Sequence, residues 1–74
     1  MRKGEWVKMP FDDDLSCVEM GFGKQLAEEP TEWTPAFIDG PHAQARLPEL
    51  NSGGWYVWLR RGGVASRVGQ VTVE

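Results

Sequence analysis

The sequence predicts a mainly β fold: a small antiparallel sheet or an SH3-like open barrel of four to five strands, with a short helical excursion in the middle. Three observations carry this expectation. The run Trp55-Tyr56-Val57-Trp58-Leu59-Arg60-Arg61 is dense in aromatic and β-branched residues, which suit a pleated, half-buried surface. Gly62-Gly63 follows at once and can take the positive φ of a tight hairpin turn, so that Val64 to Val73 returns alongside. Val18-Glu19-Met20-Gly21-Phe22 places Val18, Met20 and Phe22 on one face of an extended chain.

Taken in order, residues 4–10 read as a first strand: Trp6 and Val7 favour it and Pro10 ends it. Asp12-Asp13-Asp14 reads as a turn, because three adjacent carboxylates repel one another and do not belong in a core. Residues 15–22 form a second strand, with Leu15, Cys17 and Glu19 opposite the Val18 face, and the two strands can pair as a hairpin across the aspartates. Lys24 to Glu29 has helix propensity but little length, so packing would have to hold it; Pro30 closes it. Around Trp33–Ile38 the chain is expected to be irregular or extended. Pro35 limits a strand there to an edge, and Thr34-Pro35 could instead open a helix. Asp39-Gly40-Pro41 is a turn or helix entry, and His42 to Leu47 is expected to make one or two helical turns before Pro48. Asn51 to Gly54 is a connection. In the final hairpin a two-residue turn sets Trp58 opposite Arg67, Leu59 opposite Ser66 and Val57 opposite Val68. Trp55, Val57 and Leu59 then face the core, with Tyr56, Trp58, Arg60 and Arg67 on the other face; a three-residue turn would shift every pair.

A chain of 74 residues makes a single small domain (1–74). A domain of that size buries only about 60% of its unfolded surface, so its margin of stability is near ~5 kcal/mol. Four tryptophans (Trp6, Trp33, Trp55, Trp58) are many for so small a core, and at least one is expected to lie half exposed. The net charge is −3, unevenly spread: residues 51–74 hold Arg60, Arg61 and Arg67 against Glu74 alone, on an otherwise acidic body. With Cys17 the only cysteine, no internal disulfide can form, which favours a reducing, cytoplasmic setting. Neither a signal peptide nor a membrane span is legible.

The residue types that carry chemistry do not assemble. One histidine, His42, and one cysteine cannot build a zinc site. The aspartate triplet lacks the spacing of a calcium loop, and no serine sits in a strained elbow. Gly21-Phe22-Gly23-Lys24 lacks the run of a phosphate loop and reads as a strand end. The expectation is therefore a non-enzyme without a cofactor. What remains is a face carrying Tyr56, Trp58, Arg60, Arg61 and Arg67, residue types that dominate binding hot spots. The reading is a small acidic protein-interaction module, acting as an inhibitor, adaptor or regulatory subunit. Its partner would be a protein, basic or itself nucleic-acid-binding, drawn in by the acidic body. The alternative is a small nucleic-acid-binding barrel that stacks bases on these rings and meets phosphates with the arginines, against the handicap of an acidic chain.

Overall fold

The computed structural model describes residues 1–11 and 18–74. The expected aspartate turn and the Leu15–Cys17 part of the second strand lie outside the described residues. Six strands form: β1 (Trp6–Pro10), β2 (Val18–Gly23), β3 (Trp33–Asp39), β4 (His42–Arg46), β5 (Gly53–Arg61) and β6 (Val64–Val73). They make one antiparallel sheet in the order β1-β4-β3-β2-β5-β6, curled until its two ends nearly close a barrel. The seam is fastened at one end by the chain start. The Met1 amino group donates to the Thr72 carbonyl at 2.7 Å, and the Glu74 N–H donates to the Met1 carbonyl at 2.9 Å. Further along, the side chain of Met9 fills the gap. A Cβ on Gly69 would stand 2.8 Å from its sulfur, so any larger residue there would have to displace the end of the Met9 side chain.

The core follows the two-residue period of the strands. Val7, Val18, Met20, Phe22, Val57, Leu59 and Val73 point inward, with Ala43, Ala45 and Leu47 from the β4 stretch. Small residues on β4 opposite larger ones on β2 and β5 fit the interior of a narrow barrel.

Two expectations are corrected here. The sheet has six strands rather than four or five, so a five-stranded SH3-like barrel does not describe it, and no helix is present among the described residues. His42 to Arg46 is β4, not a helical turn. Ala43, Ala45 and Leu47 are fully buried and alternate with exposed or half-buried His42, Gln44 and Arg46. That two-residue period, matched to Val7 on β1, overrides the helix preference of alanine. Residues 24–29 form a series of bends; six residues cannot hold a helix in isolation, and the contacts they make fix an irregular path instead.

The pairing of β1 also differs from the expected hairpin: its partner is β4, and β2 lies between β3 and β5. Trp33–Asp39 is an interior strand despite Pro35. It changes partner midway: Trp33 to Ala36 pairs with β2, whereas Phe37 to Asp39 pairs with β4. Pro35 falls where only one side of the strand is paired, which is where a missing N–H is tolerated. At the last hairpin, Gly62 and Gly63 both have positive φ (58° and 83°), the signature of a two-residue primed turn. Trp58 lies opposite Arg67 and Leu59 opposite Ser66, but Val57 faces Gly69, because Val68 is inserted as a bulge.

Candidate interaction surface

The outward side of β3, β2 and β5 carries a row of Trp33, Gly21 and Trp58, set side by side by the strand register. Glycine between two tryptophans leaves a slot, and the 24–32 segment fills it with Pro30. A Cβ on Gly21 would stand 2.8 Å from the Pro30 ring and 2.9 Å from the Trp33 ring. Pro30 is buried as a result, and Trp58 is only 9% exposed. Trp58 therefore belongs to the packed interior of this lid rather than to an open face, although strand alternation does place it opposite the barrel core.

The remaining residues of the expected face are brought near one another in part. Arg60 is half-buried and donates twice to Glu19 Oε1, at 2.8 and 3.2 Å, while its guanidinium lies 4.3 Å from the Trp33 ring centroid. Arg67 lies 5.7 Å from the Tyr56 ring and donates to the Leu26 carbonyl at 3.3 Å. Arg61 lies next to Arg60 in sequence but on the alternate side of β5. It pairs with Val64 beside the turn. It lines an opening of about 290 Å³ with Phe11, Leu59, Val64, Ser66 and Val68, which Arg60 also borders.

A second cluster is the more exposed one, and the sequence reading missed it. It occupies the outward side of β1, β4 and β3. Trp6 is 43% and Phe37 58% exposed, and their rings meet edge to face with centroids 6.4 Å apart. Arg46, opposite Trp6 in the register, lies 4.7 Å from its ring centroid and donates to the Gly4 carbonyl at 3.2 Å. Lys8 and Asp39 form an ion pair at 3.8 Å on the same side. The available signal was alternation: with Val7 inward, Trp6 and Lys8 must point out, and with Ala43 and Ala45 inward, so must Arg46.

Cations cover four of the rings: Lys24 on Trp55, Arg46 on Trp6, Arg60 on Trp33 and Arg67 on Tyr56. Each of these cations also donates a hydrogen bond to the chain, so ring and acceptor together fix its position. Each such ring presents a guanidinium or ammonium on one face, which removes that face from base stacking. Phe37 carries no such cover.

Trp58 offers a test of this packing. Its indole N–H is buried and finds no acceptor among the described protein groups. A phenylalanine retains most of the apolar contact and deletes the unpaired donor. Trp58→Phe is therefore expected to change stability by less than about 1 kcal/mol; a thermal melt showing a larger loss would contradict this account of the indole.

Among the described residues no group of three or more His, Cys, Asp or Glu side chains is placed to hold a metal ion, and no helix is long and apolar enough to cross a membrane. Comparisons with protein-family models, with curated proteins and with solved structures return no match for this chain.

Proposed function

We propose that this chain is a small protein-binding module, an inhibitor, adaptor or regulatory subunit, whose contact face is the outward side of β1, β4 and β3. The observation that supports it is the exposed Trp6–Phe37 pair, two large rings in edge contact on a rigid sheet that no loop among the described residues covers. Rigid aromatic anchors next to an arginine are the composition of binding hot spots. Tyr56 and Arg60 fit that role less well, since Tyr56 is half-buried and Arg60 is half-buried and held by the Glu19 carboxylate through two hydrogen bonds. Glu28, Glu29 and Glu32 are exposed and make no ion pair among the described residues, which supports long-range steering of a partner with basic flanks.

The experiment is affinity capture with the wild-type chain and with the Trp6→Ala/Phe37→Ala variant, after nuclease treatment, followed by titration of the captured protein. Neither side chain belongs to the core, so the variant is expected to stay folded but to melt roughly 5–10 °C below wild type as the ring contact and the Arg46 stack are lost. Its affinity for the captured protein is expected to fall at least about tenfold. A protein bound equally by both chains would reject this face. Recovery that vanishes with nuclease would favour nucleic-acid binding instead.

A further inference from the structure

Resting on the protein-binding reading of this face, we infer that the segment docked on it is a short, extended, acidic peptide, with a carboxylate meeting Arg46 and an apolar side chain lying against Phe37. Charge is the first argument. The face carries Lys8, Arg46 and Asp39. Asp39 is committed to Lys8, and the neighbouring Glu5 carboxylate is turned to the backbone N–H of Arg2 at 3.1 Å. Arg46 forms no ion pair among the described residues. Arg46 thus stands beside Trp6, at the end of β4, as a cation of this face with no carboxylate partner among the described residues. Arg46 is also held in place: its stacking on Trp6 and its bond to Gly4 fix the guanidinium plane while leaving further N–H donors for a carboxylate fork.

Size is the second argument. Strands β1 and β4 have five residues each, and β3 adds its last three to this side. At strand spacings of ~4.8 Å and ~3.3 Å per residue, the face measures roughly 14 by 17 Å. That is far short of the ~800 Å² per partner of a stable protein–protein interface, so a second copy of the chain is too large an occupant to be held by this face alone. An extended segment of about five residues matches it.

The test selects random heptapeptides on the full chain, with the Trp6→Ala/Phe37→Ala variant as counter-target, and then titrates the recovered peptides. The expected result is peptides rich in Asp or Glu beside an apolar residue, whose binding depends on the two rings. Exchanging the key carboxylate for its amide within the peptide should weaken binding about fivefold or more, the upper range for a solvent-facing ion pair. This comparison leaves the protein untouched, so it is free of any folding effect. Arg46→Gln should reproduce the loss and Arg46→Lys should restore part of it. Ring-dependent peptides that are basic or neutral would overturn the acidic assignment and leave the protein-binding reading standing. Absence of ring-dependent peptides, or their displacement by oligothymidylate, would overturn both.

Discussion

Leu59→Ala is expected to lower the melting temperature by roughly 12–24 °C. Leu59 is 4% exposed and lies directly opposite Met20, which is wholly buried on the neighbouring strand β2. Truncation removes buried methyl and methylene groups and leaves a cavity that two paired strands cannot collapse, at a cost of about 3 kcal/mol. A domain of this length melts ~4–8 °C lower for each kcal/mol lost, and that loss is more than half of a margin near ~5 kcal/mol. Val57→Ala, one step along the same inward row, should act in the same direction with fewer atoms removed. Thermal melts by circular dichroism decide the matter; a shift of under about 3 °C for Leu59→Ala would mean that β5 does not form the centre of the core.

The second large effect is expected at a position with no side chain. Gly21→Ala puts a methyl group where the Pro30 and Trp33 rings already stand, with the nearest atoms at 2.8 and 2.9 Å. Neither obstacle is the free end of a flexible chain: Pro30 is buried and Trp33 is held under Arg60. The 24–32 segment must therefore lift from its slot. The cost is expected to be about 2 kcal/mol, as for other overpacked sites, and the tryptophan emission should shift to the red as Trp33 and Trp58 meet water. Gly54→Ala is the control, since a Cβ there meets nothing within 4 Å and no positive φ is required. Equal stability of the two variants would show that Pro30 does not pin this segment.

The last hairpin was legible because its signals are local. A dense β run, two glycines and a second β run lie within about twenty residues, and the turn geometry sets the first pairs. The register stays open in the sequence between a two-residue and a three-residue turn, and nothing in Val64 to Val73 marks Val68 as a bulge. The middle of the chain was misread for a related reason. Helix propensity over six residues is a weak local preference, and the burial of Ala43 and Ala45 against distant strands outweighs it. The exposed face was only half legible. Alternation correctly separated Val57 and Leu59 from Trp58. It gave no sign that Pro30 would cover that tryptophan, nor that Trp6 and Phe37, distant in sequence, would meet.

The partner of β1 has a consequence for how the chain reaches this state. The hairpins β3–β4, across Gly40-Pro41, and β5–β6, across Gly62-Gly63, close over two residues each and belong to events on the microsecond scale. The first strand has no such neighbour: it must wait for β4, the whole of β2 and β3 intervening. Loop closure of that length is entropically opposed until the later elements are in place, which sets assembly on the slower, non-local β timescale. During that interval the flank of β4 that β1 will cover stands open, with Ala43 and Ala45 beside unsatisfied backbone groups. A chain held at this stage offers an adhesive edge to its neighbours, so the yield of folded molecules is governed by concentration during refolding as much as by final stability.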